Sequence, residues 1–302
     1  MKIDAKVQSI SKLKDYFFLV PDYQREYVWK PDDEVEQFLI DIENEYSPDA
    51  KEQRNYFLGS IIIANNDRCF DVVDGQQRLT TIMLSLCVFR DLLKKETLNS
   101  AQKNYLQIIE NLLYNFDIES GETRVRLELQ YEESHDYLTA LIQEQPYNGV
   151  RSPSIVRMQD AYTKILRHFQ LYAGIDELID FAKYCLTKIE LVVIESQDLS
   201  SALKIFETIN QRGAGLNAMD LVKNLLFKAT KLLDSKFYIG VNTALNRFKN
   251  DFQYNFTGWN KSSVEARQKI LLELVFDTWR INDLRLDRVN ELKMDEDSGC
   301  CL

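Results

Sequence analysis

The segment from residue 56 to residue 93 restricts the fold of this chain more than any other. YFLGSIIIANN (56–66) is a β-branched apolar run that ends in an Asn-Asn turn, and CFDVV (69–73) follows directly, so the two are predicted to pair as a hairpin. From Leu79 to Leu93 the apolar residues instead recur with the period of a helix. The chain must therefore pass from a sheet into a buried helix through the polar string DGQQR.

The rest of the chain predicts more helix than strand. Residues 16–30 are predicted to be extended, and Pro31 is predicted to begin a helix with an acidic first turn. ELVVIES (190–196) is β-branched and is predicted to return to the first sheet, whereas VRLELQY (125–131) fits a short strand or part of a helix. Most of residues 96–185 has helical periodicity.

These patterns predict an α+β fold, with a small mixed sheet followed by a mostly helical body. We place the first domain at residues 1–95, completed by residues 186–230, and the helical body at residues 96–302. Apolar residues make up 45% of the 302 residues, so the chain can bury a large core. With 10 Gly and 5 Pro there is little material for flexible linkers. One large or two smaller domains are therefore expected.

The charge of the chain limits the partners that it can bind. The formal net charge is -10, with 13 basic and 17 acidic residues up to Lys95 (net -4) and 24 and 30 after it (net -6). Tight nonspecific binding to a phosphate backbone normally needs a basic face. Any contact with nucleic acid is therefore expected to come from a local patch.

The cysteine and histidine content argues against a zinc site or a histidine-based catalytic triad. The five cysteines have no CxxC spacing, and the two histidines, His135 and His168, are far apart in the sequence. Reduced, buried thiols are expected at Cys87 and Cys185, which fits a cytoplasmic protein. MKIDAKVQSI lacks the core of a signal peptide, and no apolar run approaches ~18 residues, so no membrane contact is expected.

The string Asp74-Gly75-Gln76-Gln77-Arg78 has the residue types of a phosphate site. A strand that turns at Asp-Gly into a helix leaves backbone N–H groups free, and these donors attract phosphate together with the helix dipole. Arg78 could reach the same oxygens as a fork, and Gln76 or Gln77 could orient a water. Asp74 could hold Mg²⁺ or accept a proton from water. The simpler alternative is that Asp74 caps the helix and Arg78 is a solvated surface residue.

A second string, PDYQREYVW, combines aromatic residues with a cation. If it is extended, Tyr23, Arg25, Tyr27 and Trp29 share one face. An arginine among three aromatic rings suits stacking on a base and contact with its phosphates. The alternative is an aromatic strand face that packs into the core.

The third string, FETINQRGAGLNAMDLVK (206–223), joins two segments of helical periodicity, 200–209 and 218–233. A helix-loop-helix corner explains its two glycines. Such a corner does not explain three polar residues: Asn210, Arg212 and Lys223. A helix-turn-helix reader of DNA is a weaker alternative, because the second helix has little basic surface at its N-terminus.

These three strings, in this order, resemble the S (NTPase) half of GmrSD-type modification-dependent restriction systems, and the related phosphorothioate-sensing defence protein SspE is also similar. The family's P-x-Y-Q-R-x-Y-x-W is PDYQREYVW here, and its D-G-Q-Q-R-L-T-T is DGQQRLTT. Its F-x-x-x-N-x-R-G-x-x-L-x-x-x-D-L-x-K is FETINQRGAGLNAMDLVK. The match covers about residues 8–230, and DGQQRLTT is its most specific part.

The resemblance implies a ParB/sulfiredoxin-like sheet domain followed by a helical body. It also implies nucleoside triphosphate binding and hydrolysis, coupled to defence against modified phage DNA. The implied phosphate and hydrolysis site consists of Asp74, Gly75, Gln76, Gln77 and Arg78. Nucleotide contacts are implied for two further groups: Gln24, Arg25, Tyr27 and Trp29 from the second string, and Asn210, Arg212, Asp220 and Lys223 from the third.

Many relatives continue into a second half with a histidine-containing HNH-type nuclease. Neither ESHDYL nor LRHFQL resembles such a motif. DNA cleavage by this chain alone is therefore not expected, and a nuclease is expected as a separate partner or a missing half. Two other interpretations stay open: a non-hydrolysing module that binds modified DNA or a phosphate group in the same pocket, and an interaction protein whose polar strings are only caps and corners.

Overall fold

The computed structural model describes residues 3–22, 24–50, 52–118, 121–131, 135–172 and 174–210, all within the unit Met1–Ala214. These residues form eight strands and seven α-helices. The strands are β1 (Ile3–Ser9), β2 (Phe18–Val20), β3 (Tyr56–Asn66), β4 (Cys69–Asp74), β5 (Tyr114–Asp117), β6 (Glu122–Val125), β7 (Leu127–Leu129) and β8 (Ile189–Ser196). The helices are α1 (Glu34–Glu45), α2 (Gln76–Leu93), α3 (Ser100–Leu113), α4 (His135–Ile142), α5 (Pro153–Phe169), α6 (Ile175–Lys188) and α7 (Leu199–Asn210).

A mixed six-stranded sheet in the order β1-β8-β3-β4-β2-β7 forms the centre of this unit. β3 and β4 pair antiparallel, which confirms the predicted hairpin. β8 runs parallel to β3, which confirms the predicted return of residues 190–196 to the sheet. β1 pairs antiparallel with β8, and β2 lies parallel to both β4 and β7. The predicted mixed sheet of an α+β fold is thus confirmed.

Helices cover both faces of the sheet. On one face Ile61, Ile63 and Val72 join the large apolar core. α2 is buried along nearly its whole length within this core, because it packs against α3, α5 and α6 as well as β7. On the other face α7 packs against β3, β4 and β8, where Ile62 and Ile194 are buried.

Two helices begin at residues other than the predicted ones. α1 begins at Glu34 rather than at Pro31, because the residues between them form a turn. α2 begins at Gln76 rather than at Leu79, so both glutamines and Arg78 belong to its first turn. Apolar periodicity marks only the buried part of a helix, and a polar first turn falls outside that pattern.

The middle of the chain contains a hairpin that the sequence does not predict. β5 and β6 pair antiparallel, apart from the main sheet, and Phe116 of β5 is exposed. The ambiguous segment 125–131 contains a strand, β7. The helices predicted within residues 96–185 are otherwise present. The domain boundaries stay a prediction, since residues 211–302 lie outside the described part of the chain.

None of the described helices is long and apolar enough to cross a membrane.

Candidate functional site

The first two polar strings meet at one edge of the sheet. β2, β4 and β7 are parallel neighbours, so their carboxyl ends lie at the same edge. β4 ends at Asp74, β2 leads into Gln24 and Arg25, and β7 leads into Tyr131. β3 runs antiparallel to β4, which brings its first half, including Ser60, to this edge as well. Ligand sites in open sheets commonly occupy the carboxyl ends of parallel strands.

A β-bulge at the end of the hairpin sets the direction of Asp74. Ile63 pairs with Val72, but Ile62 pairs with Asp74, so one extra residue is inserted in β4. Residues opposite each other on paired strands point to the same face of a sheet. Ile62 also pairs with Ile194 of β8, on the face where α7 packs. The bulge therefore turns Asp74 toward the side of α7.

Gly75 joins β4 to α2 in a conformation that requires glycine. It is the N-cap of α2, and its φ of 93° is left-handed. A Cβ at this position would lie 2.5 Å from Ile61 Cγ2 and 3.2 Å from Ile61 Cα. Both the torsion and the packing therefore select glycine. The tight turn leaves the first N–H groups of α2 at the sheet edge without intrahelical acceptors.

The Arg78 guanidinium lies across β3 rather than in solvent. Its Nη1 donates to Ser60 O at 2.7 Å, and a Cβ on Gly59 would lie 3.1 Å from its Cζ. Gly59, with a φ of 130°, thus provides the space that the guanidinium occupies. The alternative of a solvated Arg78 was wrong. Ser60 O is the one hydrogen-bond acceptor of Arg78 among the described residues, so most of its five guanidinium N–H donors have no partner there.

Asp74 is a half-buried carboxylate beside two arginines. Burial raises its pKa above the usual value, and the positive charges of Arg78 and Arg25 and a hydrogen bond from the Gly75 N–H oppose that rise. Arg25 and Arg78 place guanidinium donors of the kind that bind anions beside Asp74, although Glu26 lies next to Arg25 in the sequence and the chain as a whole is acidic.

The two neighbouring glutamines of α2 have different surroundings. Gln77 is 5% exposed; its Oε1 accepts from the Val28 N–H at 2.8 Å, and its Nε2 donates to Glu26 O at 3.0 Å. Both ends of this amide therefore bind the backbone of the second string. Gln76 is 6% exposed, and its side chain makes no hydrogen bond to any residue that the structure describes. Of the two predicted water-orienting amides, Gln76 is the one left available.

The second string is also tied to three other elements. Gln24 Nε2 donates to a backbone carbonyl of β4 at 3.0 Å. The Tyr27 N–H donates to Ser154 Oγ at 3.1 Å in the first turn of α5. After β7, Tyr131 Oη donates to Arg25 O at 2.8 Å. These bonds fix the backbone from which the exposed Arg25 side chain projects.

Tyr27 is a core residue with a satisfied hydroxyl group. Its ring is 1% exposed, and its Oη lies 2.9 Å from Thr81 Oγ1, which itself donates to Gln77 O at 2.9 Å. Since Thr81 has a single hydroxyl proton, Tyr27 is the donor to Thr81. Burial raises the pKa of Tyr27 well above its usual value, so the phenol stays protonated. Tyr27 therefore holds the second string against α2.

The predicted common face of the second string was wrong for Arg25 and Tyr27. Residues 24–30 form no strand: Arg25 is exposed while Tyr27 is buried. The physical reason is that side chains of α2 and α5, rather than a neighbouring strand, bind this backbone. Trp29 is half-buried and packs beside Phe38, with 6.4 Å between ring centroids. Tyr23 lies outside the described residues.

The third string begins on α7, which confirms the helix predicted at residues 200–209. β8 ends where Ser196 pairs with Ala64, at the end of the strands opposite to the one where β4 ends. α7 packs along β3 and β4, so it runs back toward the edge at which β4 ends. The remaining predicted residues lie outside the described part of the chain, and their nucleotide contacts stay a prediction: the Asn210 side chain, Arg212, Asp220 and Lys223.

The donor atoms around Asp74 fit only one kind of metal site. In the described residues, no group of three or more His, Cys, Asp or Glu side chains could hold a metal ion. Mg²⁺ is commonly bound by one or two carboxylates together with phosphate oxygens of a substrate. Within the described residues, Asp74 therefore fits a Mg²⁺ ion that arrives with a nucleotide better than a resident ion held by side chains alone.

Several residues that build this edge were missed in the sequence. Gly59 carried a signal, since an isolated glycine inside a strand marks a bulge or a close approach. Ser154 and Tyr131 carried none, because their partners lie 127 and 106 residues away. Contacts at such separations depend on how the elements pack and not on local pattern.

Comparison with known protein families shows to which family this chain belongs. The family described as GmrSD restriction endonuclease, N-terminal domain, matches residues 7–227. This chain belongs to that family. The match spans all three strings, so the GmrSD-type resemblance is confirmed, and this GmrSD N-terminal domain is a component of a restriction system. No curated protein sequence matches the chain.

Proposed function

We propose that this GmrSD N-terminal domain binds a nucleoside triphosphate where β4 passes into α2 and hydrolyses it with Mg²⁺. The chain then acts as the sensing and regulatory component of a modification-dependent DNA restriction system, and an HNH-type nuclease, separate or adjoining, cuts the DNA. Kinship with ParB/sulfiredoxin-like domains and with SspE belongs to the same proposal. The observation that carries it is the grouping of Asp74, Arg25 and Arg78 around the N-terminus of α2.

The phosphates are the part of the nucleotide that this edge fits best. The first N–H groups of α2 and the free donors of Arg78 are fixed in place before any ligand arrives, since Gly75 and Ser60 hold them. Donors that need no reorientation bind anions and developing negative charge more strongly than mobile ones. Arg25 adds a second guanidinium from a tethered backbone.

Hydrolysis assigns separate tasks to Asp74 and Gln76. Asp74 holds the Mg²⁺ that comes with the triphosphate or accepts the proton of the attacking water. Gln76 orients that water, because the amide of Gln77 is already bound at both ends. Gln77 and Tyr27 thus hold the backbone of the second string in place and do not contact the reacting atoms.

The base and the closing residues are the least specified part of the proposal. Tyr27 is buried, so half-buried Trp29 is the better candidate for stacking on a base. Contacts from Asn210, Arg212, Asp220 and Lys223 rest on the family resemblance alone and stay part of the proposal.

A phosphate-release assay on the 302-residue chain tests the proposal, with ATP, GTP, CTP and UTP, each with and without Mg²⁺. We expect Mg²⁺-dependent release from at least one triphosphate. Asp74→Ala and Arg78→Ala should each lower kcat by about 10²-fold or more, the usual effect of losing one group that stabilises the transition state. Unchanged turnover in both variants rejects the site.

Arg167→Ala is the matched control. Arg167 is exposed in the last turn of α5, whereas Ser154 lies in the first turn. The control therefore removes the same charge about 20 Å along α5 from Ser154, the residue of this helix that binds the second string, and should leave kcat unchanged. Salt-sensitive binding of modified DNA with no effect of any triphosphate would instead support the non-hydrolysing module. If the chain binds neither a triphosphate nor DNA, the remaining interpretation is an interaction protein.

A further inference from the structure

β1 is an exposed edge strand with no partner on its outer side among the described residues. β8 pairs with its inner side over the whole of Ile3–Ser9. Ile3 is 47% exposed and Val7 is 62% exposed. Such an edge presents a row of unpaired N–H and C=O groups, which is a template for a further strand.

The sequence of β1 is complementary to itself in one antiparallel register. When Ala5 lies opposite Ala5 of a second copy, Asp4 of each copy faces Lys6 of the other, and Ile3 faces Val7. Opposite charges and apolar side chains that face each other across an antiparallel pair stabilise it. Centring the pair on Asp4 or on Lys6 would instead place like charges opposite each other.

Asp4 and Lys6 determine whether the edge of β1 resists or accepts a further strand. A single lysine on an edge strand usually prevents strand addition. Here Asp4 lies two residues from Lys6, and the Lys6 Nζ is 2.5 Å from Asp4 Oδ2 within one chain. Both side chains therefore stand on the same face of β1, as a pair across two copies requires.

We propose that β1 pairs with β1 of a second copy of this chain, antiparallel and centred on Ala5, so that one sheet continues through two protomers. The contact is closed by two-fold symmetry, because each copy presents the same edge to the other. Residues 3–7 of each strand take part in this register. Since the paired segment is short, the dimer forms in a concentration-dependent manner.

Sedimentation of the 302-residue chain over rising concentration tests the pairing. We expect a monomer–dimer equilibrium. Lys6→Asp and Asp4→Lys should each weaken the dimer by about tenfold, because both symmetry-related charge pairs become like-charge pairs. An equal mixture of the two variants should dimerise again, since every aspartate then faces a lysine. A native chain that is monomeric throughout, or a mixture that fails to recover, overturns the proposal.

Cross-linking tests the register itself. In a Cys300→Ser, Cys301→Ser background, Ala5→Cys should give a covalent dimer under mild oxidation. Residues opposite each other have Cα atoms about 4.5–5.5 Å apart, within the range of a disulfide. Ile3→Cys is the control, because its two copies lie about 13 Å apart in this register. Equal cross-linking at both positions, or none at Ala5→Cys in a chain that melts like the native one, contradicts the pairing.

Discussion

Replacement of Gln77 by alanine tests whether buried hydrogen bonds, rather than pairing in the sheet, hold the second string in place. Gln77 is buried in the first turn of α2, and its amide joins the Val28 N–H and Glu26 O. Alanine keeps the helix, since it is the best helix former, but leaves both backbone groups without their partner. The change therefore isolates the two hydrogen bonds.

The structure sets the size of the expected loss. A hydrogen bond contributes about 1 kcal/mol net, and a buried group left without a partner costs about 1–3 kcal/mol. Glu26 and Val28 are half-buried, so water replaces part of what is lost. We expect a destabilisation of about 2–3 kcal/mol for Gln77→Ala. At about 3 °C per kcal/mol, that lowers the Tm by about 6–9 °C.

Gln76→Ala is the matched control, because it makes the same chemical change one residue earlier at nearly the same exposure. Gln76 has no hydrogen bond within the described residues, so its loss should lower the Tm by less than about 2 °C. Phosphate release should behave in the opposite way and fall about 10²-fold in Gln76→Ala. Thermal melts and release assays on the same samples separate the two effects. Equal Tm losses in both variants would refute the reasoning.

Three further substitutions, one of them with a matched control, probe this unit. Gly75→Ala should lower the free energy of unfolding in urea by about 2–4 kcal/mol, because its Cβ would lie 2.5 Å from Ile61 Cγ2 at a left-handed φ. Gly121→Ala is the control, since Gly121 is also left-handed but lies in open space, and it should lower that free energy by only about 1 kcal/mol. Burial raises the pKa of Asp74, so the stability that this group contributes is fully present below its unfolded pKa and is lost as pH rises through its folded pKa. Asp74→Asn should therefore be more stable than the native chain at about pH 7, with the difference vanishing toward about pH 3 in urea titrations at each pH. Arg90→Leu should lose about 3–5 kcal/mol, since this fully buried guanidinium binds two carbonyls at the end of α4, and calorimetry should show the loss.

The elements that the sequence predicts correctly are those in which local pattern and burial agree. β3 and β4 are short, continuous β-branched apolar runs whose consecutive residues are buried, and α2 is a long apolar helix that is buried on nearly all sides. The hairpin of β5 and β6 has no such pattern, because much of it is polar and exposed. Tertiary position, not local preference, decides its conformation.

The structural position of DGQQR was predicted from the sequence, and its role stays a prediction. DGQQR does lie at a strand-to-helix junction beside two arginines, as its residue types indicate. The sequence could not separate Gln76 from Gln77, because the same amide serves equally well to orient a ligand or to bind a backbone. Only the position of residues 26–28 over α2 distinguishes them, and that position depends on Ser154 and Tyr131, far away in the chain.

Two features at the edge where β4 meets α2 carry an energetic cost. Gly75 adopts a left-handed torsion, and Asp74 lies where burial raises the pKa of its carboxyl group. Elsewhere in the described fold the buried amide of Gln77 and the hydroxyl of Tyr27 are satisfied, whereas the buried hydroxyls of Tyr172 and Tyr184 have no partner among the described residues. Proteins retain local costs of this kind mainly at functional sites. An anion bound at this edge would interact with Arg25 and Arg78, so these costs occur where the proposed triphosphate would bind.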